Sequence, residues 1–321
     1  MERETDDRCG PMIEMIGVEK GYDQLAVLTG IDLRVERGEV FAVLGPNGAG
    51  KTTTINILTT LITLDGGVAR VNGCDVAVDP EGVRRAISVT GQNAAVDGFL
   101  TGFENLVMIG RLARLGRGAR RRAGELLEQF DLVDAASRRV STYSGGMRRR
   151  LDLAISLVAR PPVIFLDEPT TGLDPRSRQT LWRVVRELAA AGVTILLTTQ
   201  YLEEADQLAD RIAVIAGGRI AALGTAAELK QRVAGERVDL TFADVAAFDA
   251  AAAIVRGEHV VIDAEQLSIS VPTEHPVATL RDLIDLTDRN RITLASIAIN
   301  KPSLDDVFMA LTERTPQGVA A

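Results

Sequence analysis

The sequence predicts an α/β protein with a mainly parallel sheet, followed by a smaller α+β unit. Three observations carry that expectation. Residues 40–44, 163–166 and 193–197 are continuous β-prone apolar runs, the pattern of strands covered on both faces. Between them lie segments with apolar residues at helical spacing, so strands and helices alternate along the chain. After about Val233 the texture changes to Ala-rich pieces and shorter strand-like stretches.

Taken in order, residues 1–11 read as a charged, solvated tail. Residues 13–18 and 27–35 alternate more clearly and are expected to form an antiparallel edge sheet. A glycine-rich turn follows the 40–44 run, after which Ile55, Leu58, Leu61 and Ile62 keep helical spacing. Met147, Leu151, Ala154, Ile155 and Val158 form one apolar helix face, entered through Ser144 and stopped by Pro161-Pro162. A polar turn at Ala234-Gly235-Glu236 opens the last unit, where 267–271 and 292–299 read as strands. The expected division is a tail at 1–11, a main domain at 12–235 with a helical subdomain near 93–160, and an accessory domain at 236–321.

The length of 321 residues suits one domain of a little over 200 residues plus a smaller one. Apolar residues make up 46% and charged ones 25%, so the chain can build cores; with aromatics at only 4%, Ala, Val, Leu and Ile must fill them. A net charge of −8 disfavours an extended nucleic-acid partner. Cys9 and Cys74 have no metal-ligand spacing and fit a reducing compartment. No span approaches the roughly 20 apolar residues that cross a bilayer, and Met1 to Gly10 lacks a signal-peptide core. The chain is therefore expected in the cytoplasm, with any membrane work done through a partner.

Two motifs carry chemistry. Gly45-Pro46-Asn47-Gly48-Ala49-Gly50-Lys51-Thr52 fits G-x-x-x-x-G-K-[ST], with Thr53 beside it. Glycines let the backbone curl so that its N–H groups point at phosphate oxygens, and the following helix adds its positive end. Lys51 then reaches the β- and γ-phosphates, and Thr52 offers a hydroxyl to Mg²⁺. The second motif is an apolar strand that ends in Asp167-Glu168. By itself that is equally a strand end reaching solvent. Beside a phosphate loop, Asp167 is placed to hold Mg²⁺ through water and Glu168 to polarise the attacking water.

Tyr143-Ser144-Gly145-Gly146-Met147, whose serine lies 23 residues before Asp167, resembles the signature motif of ATP-binding-cassette proteins. Read only as sequence, it is a serine-capped helix start. The resemblance covers about residues 12–235 and implies a P-loop ATPase fold with an antiparallel β subdomain and a helical subdomain. It also implies a head-to-tail dimer in which Ser144, Gly145, Gly146 and Met147 face ATP held by the other subunit. Tyr22 is placed like the residue that stacks on adenine, or is a surface tyrosine. Gln92 resembles the glutamine that reads Mg²⁺ and the attacking water, and Gly172-Leu173-Asp174 resembles the loop that crosses the dimer.

Two positions depart from that pattern. Met147 stands where the signature usually ends in glutamine, and Gln200 stands where a switch histidine is expected. The chain's histidines are His259 and His275, both far downstream, so Gln200 is left to donate an uncharged hydrogen bond to the γ-phosphate. These departures resemble the ATPase subunits of daunorubicin- and doxorubicin-resistance exporters. So do residues 144–154, 199–206 and the terminal Leu304-Asp305-Asp306-Val307-Phe308. The resemblance implies export of a hydrophobic or amphipathic drug through a separate polytopic permease, with this chain at the cytoplasmic face of the membrane. Leu304, Val307, Phe308 and Leu311 read physically as an inward helix face, and in the family that stretch belongs to an extension linked to assembly. Arg111, Arg114, Arg117, Arg120, Arg121 and Arg122 read as a solvated helix face or as a contact for anionic lipid or acidic loops. A cassette ATPase without transport and an ATP-gated regulatory protein are the alternatives.

Overall fold

The computed structural model describes residues 10–23, 25–91, 96–233, 236–257, 260–300 and 303–313. They divide into two compact units, the chain passing from the first to the second between Ala226 and Ala227.

In the first unit, β1 (Ile13–Tyr22) and β2 (Leu25–Val35) pair antiparallel, as their alternation predicts. The chain then enters β3 (Val40–Leu44), buried at every position, and turns through the glycine-rich loop into α1 (Lys51–Leu58). β4 (Gly66–Val71) and β5 (Cys74–Asp75) return to the first sheet, which has the order β2-β1-β4-β5. α2 (Pro80–Ala86) leads to β6 (Ile87–Thr90). A helical segment follows, with α3 (Gly102–Leu112), α4 (Gly118–Gln129) and α5 (Gly145–Ser156). β7 (Val163–Asp167), α6 (Pro175–Ala190), β8 (Thr194–Thr199), α7 (Leu202–Leu208), β9 (Arg211–Ala216) and β10 (Arg219–Gly224) complete the second sheet. Its order is β10-β9-β3-β8-β7-β6, parallel except for the β9–β10 hairpin. Met15, Ile31 and Val71 from the first sheet and Phe41, Phe165 and Leu196 from the second pack in one core with Ile55 and Leu58 of α1.

The strand order places the site. β8 lies between β3 and β7, with Leu44 opposite Thr199 and Asp167 opposite Thr198. The C-terminal ends of three adjacent parallel strands therefore stand side by side, the edge at which open α/β sheets bind ligands.

Two helices are shorter than their apolar spacing predicts. α1 ends at Leu58, leaving Leu61 68% exposed. Thr60 takes a left-handed φ of 62°, and the Leu61 and Ile62 amides bond back to Asn56 O, which closes the helix. α5 ends at Ser156, before Pro161-Pro162. Ser156 Oγ donates to Leu153 O at 2.7 Å, while the Leu157 and Val158 amides make short i−3 bonds. Val158 is buried all the same, so its hydrophobic spacing reports packing rather than helix.

α8 (Ala226–Val233) begins at the junction. The second unit then runs β11 (Glu236–Phe242), α9 (Val245–Ile254), β12 (Val261–Asp263), β13 (Ser268–Thr273), α10 (Pro276–Arg289), β14 (Leu294–Asn300) and α11 (Leu304–Glu313). Its antiparallel sheet has the order β12-β13-β11-β14, and with the helices it forms a split β-α-β-β-α-β arrangement. Val238, Leu240, Phe242, Phe248 and Ile269 make its own core. Leu304 and Val307 are buried on α11, whereas Leu311 lies outside the side chains described. Residues 1–9, Gln92, Ala234, Gly235 and His259 are outside the described residues.

Candidate active site

The loop from Gly45 to Gly50 is shaped by its contacts. A Cβ at Gly45 would stand 2.6 Å from Ile215 O. Gly50 takes φ 102°, and a Cβ there would lie 2.5 Å from Leu28 Cδ2, so only glycine suits the entry to α1. Gly50 is also the N-cap of α1 and, lacking a side chain, leaves the first-turn N–H groups open. That is the helix start an anion requires. Pro46, Asn47 and Gly48 are exposed, while Ala49, Gly50 and Lys51 are buried.

Four predicted side chains come together where β3 and β7 end. Lys51 Nζ donates to Gly45 O at 2.8 Å and Pro46 O at 3.1 Å, and lies 3.6 Å from Glu168 Oε1. Thr52 Oγ1 donates to Asp167 Oδ2 at 3.2 Å. Thr53, next on α1, is half-buried. Asp167 is buried at the last position of β7, and Thr198 Oγ1 donates to its Oδ1 at 2.5 Å. The same Thr198 receives the Glu168 amide, on its carbonyl at 3.1 Å and its hydroxyl at 3.2 Å. Glu168 has a φ of 47°, uncommon for a residue with a side chain, and its Oε2 accepts from Thr171 Oγ1 at 3.3 Å. The result is a cation, a hydroxyl and two carboxylates around one cradle of open N–H groups. Such a set holds phosphate, offers hard oxygen donors to a divalent ion, and presents a base to water.

A second cluster forms at α5 and α6. Ser144 caps α5, its Oγ accepting from the Met147 amide at 3.2 Å. Ser144 and Gly145 are exposed, whereas Gly146 packs so close to Ser177 that a Cβ would stand 2.3 Å from its Oγ. Asp174 caps α6, accepting from the Ser177 amide at 3.0 Å and from Ser177 Oγ at 2.6 Å. These bonds hold the Asp174 carboxyl below its ordinary value. Gln200 is exposed directly after β8. Tyr22 is 47% exposed at the end of β1, with Lys20 Nζ 5.5 Å from its ring centroid. Gln92 lies outside the described residues. His275 stands at the N-cap position of α10 in the second unit, its side chain making no capping bond.

Two buried side chains join the site without having been singled out in the sequence. Thr198 ties both carboxylate residues to β8. Arg149 reaches from α5 to backbone carbonyls beside them. Glu204, on α7, is also fully buried, and Trp182 Nε1 donates to it at 3.4 Å. Thr198 sits in a β-prone run and Arg149 in an arginine triplet, so neither was conspicuous. The arginine cluster running from α3 through the connection into α4 is divided: Arg111, Arg114 and Arg117 are exposed, Arg121 and Arg122 pair with Glu125, and Arg120 lies over the Phe103 ring. Among the described residues no helix is long and apolar enough to cross a membrane.

Comparison with known proteins agrees with this geometry. The ABC transporter family matches residues 28–171. Over 301 residues the chain is 49% identical to the daunorubicin resistance ATP-binding protein DrrA3 of Streptomyces coeruleorubidus, covering 94% of this chain and 95% of that protein. It is 50% identical over 304 residues to the daunorubicin/doxorubicin resistance ATP-binding protein DrrA of Streptomyces peucetius, with 94% and 92% covered. A solved ATP-binding subunit of an ABC transporter superposes with a TM-score of 0.60 at 30% identity, covering 69% of this chain and 92% of that one. This chain belongs to the ABC transporter family and is one of its ATP-binding, ATP-hydrolysing members.

Proposed function

We propose that this chain energises the efflux of a hydrophobic or amphipathic small molecule, of antibiotic or drug type, through a separate polytopic membrane permease. The observation that carries the reading is the convergence of Lys51, Thr52, Asp167 and Glu168 in a chain about half identical, nearly end to end, to two drug-resistance ATP-binding proteins. In this reading the backbone from Gly45 to Thr53 wraps the phosphates, Lys51 neutralises the β- and γ-phosphates, and Tyr22 stacks on adenine. Mg²⁺ suits Thr52 and Asp167, whose oxygens are 3.2 Å apart and of the hard type it takes, with Gln92 completing the set. When bound, Mg²⁺ supplies charge neutralisation at the phosphates.

Glu168 orients and polarises the attacking water, and Gln200 donates an amide N–H to the γ-phosphate. Phosphoryl transfer needs little more than this positioning. Two copies close head to tail, with Ser144, Gly145, Gly146 and Met147 of one against ATP in the other and Asp174 at the crossing. The exposed Ser144 and Gly145 suit that contact. The pair sits at the cytoplasmic face of the membrane on its permease, and nucleic acid has no part.

The test is transport. Cells producing the chain with its permease are expected to retain less of a fluorescent anthracycline than cells with the permease alone, and Lys51→Ala is expected to remove the difference. Equal retention with parent and Lys51→Ala would exclude ATP-driven drug export.

A further inference from the structure

Arg149 lies in the run Arg148-Arg149-Arg150 at the start of α5, and of the three only Arg149 is buried. Its Nε donates to Pro169 O at 2.8 Å, and its Nη2 to Asp167 O at 3.3 Å and Glu168 O at 3.4 Å. Its Nη1 donates to Gly91 O and stands 3.5 Å from Asp152 Oδ2, one turn further along α5. One planar fork thus gathers four carbonyls from two separate segments. Each belongs to, or adjoins, a residue the proposed chemistry uses. Gly91 precedes Gln92, Asp167 and Glu168 carry the carboxylates, and Pro169 follows them. Glu168 is also held in an uncommon left-handed conformation, which persists only where its surroundings over-determine it. Thr198 supplies bonds on its amide side, and Arg149 on its carbonyl side. Only a guanidinium presents donors in this spread; an ammonium is a point charge with three.

We propose that Arg149 is a positioning residue for hydrolysis. Its guanidinium fixes the backbone at Gly91 and at residues 167–169, and so aims both carboxylates at the cradle of Lys51 and Thr52. Arg149 sits one turn beyond Ser144 on α5, so a shift of that helix end is passed to the carboxylates through the same fork. The inference rests on the roles proposed above for Asp167 and Glu168.

The test uses the full chain and compares Arg149→Lys and Arg149→Ala with Glu168→Gln, reading MgATP affinity, kcat and melting temperature. Arg149→Lys is expected to bind MgATP within about threefold of the parent and to melt within a few degrees of it. Its kcat should fall by about 10- to 100-fold, the effect of a displaced reacting group. Millimolar guanidinium ion should restore part of the kcat of Arg149→Ala, and methylammonium should not. If Arg149→Ala does not fold, Arg149→Lys alone decides. Parental kcat in Arg149→Lys beside an inactive Glu168→Gln overturns the positioning role and leaves the carboxylate assignment standing. A fall in affinity and melting temperature that tracks the fall in kcat makes Arg149 structural and also overturns the proposal. Parental turnover in Glu168→Gln removes the assignment and, with it, what Arg149 was to position.

Discussion

Glu168 and Gln200 directly follow the neighbouring parallel strands β7 and β8, yet the chemistry asked of them differs. Glu168 lies 3.6 Å from Lys51 and is held by Thr198, so its carboxylate faces the phosphate cradle. Glu168→Gln keeps the shape and removes the base. Turnover is expected to fall by on the order of 10²–10⁴-fold with MgATP binding retained, measured by phosphate release and nucleotide titration. In the proposed reading Gln200 offers an amide N–H to the γ-phosphate. Gln200→Ala is expected to slow turnover by an amount worth roughly 1.5–3 kcal/mol at saturating MgATP, and Gln200→His to stay active. Parental turnover in Gln200→Ala would move the γ-phosphate contact elsewhere. Burial raises the Glu204 carboxyl above its ordinary value, against the hydrogen bond from Trp182 and the charge of Arg178. The folded chain therefore holds this proton more tightly than the unfolded one. The stability it contributes is fullest below the unfolded carboxylate value and is lost as pH rises through the folded one. Glu204→Gln cannot ionise, so its melting temperature is expected to exceed the parent's at pH 8, by a margin that shrinks toward pH 4. A margin independent of pH would show that Glu204 does not titrate with folding. The glycine-rich turn into α1 was legible because glycine spacing has a local backbone cause. Thr198 was not, because a threonine in a strand reads first as β propensity.

α1 and α5 both begin with glycines, and their starts are built differently. α1 has Gly50 as its cap and leaves its N–H groups to a ligand. α5 has the Ser144 side chain on the Met147 amide, so one of its donors is already used while Ser144 and Gly145 stay exposed. A charged side chain at Ser144 would remove that cap and fill the space proposed for the other subunit's phosphate. Ser144→Arg is expected to abolish hydrolysis while monomeric ATP binding stays near the parent's, read by equilibrium nucleotide binding at low protein concentration. Loss of that binding would place the motif in the chain's own nucleotide site. The helix starts were legible from glycine and serine, whose backbone and capping behaviour is local. The helix ends were not, since Asn56 and Ser156 close them through hydrogen bonds that apolar spacing does not encode.

Over the whole molecule, separate cores imply separable stability. Leu240 is fully buried among Val238, Phe248 and Ile269, in the second unit's own cluster. Leu240→Ala is expected to destabilise that unit by roughly 2–5 kcal/mol in denaturant unfolding, with the MgATP affinity of the folded chain unchanged. A matching loss of affinity would show that the two units share one cooperative transition. By itself the sequence determined the alternation of strands and helices, the glycine-rich turn, the two carboxylates at a strand end and the change of texture near residue 233, because each is a local pattern with a local physical cause. Only the tertiary structure decided the strand order that sets β8 between β3 and β7, the Thr198 clasp on Asp167 and Glu168, and the reach of Arg149 to Gly91 and Pro169. The Thr198 and Arg149 contacts join residues 20 to 58 positions apart, and such partners are chosen by packing, which no window of the sequence contains.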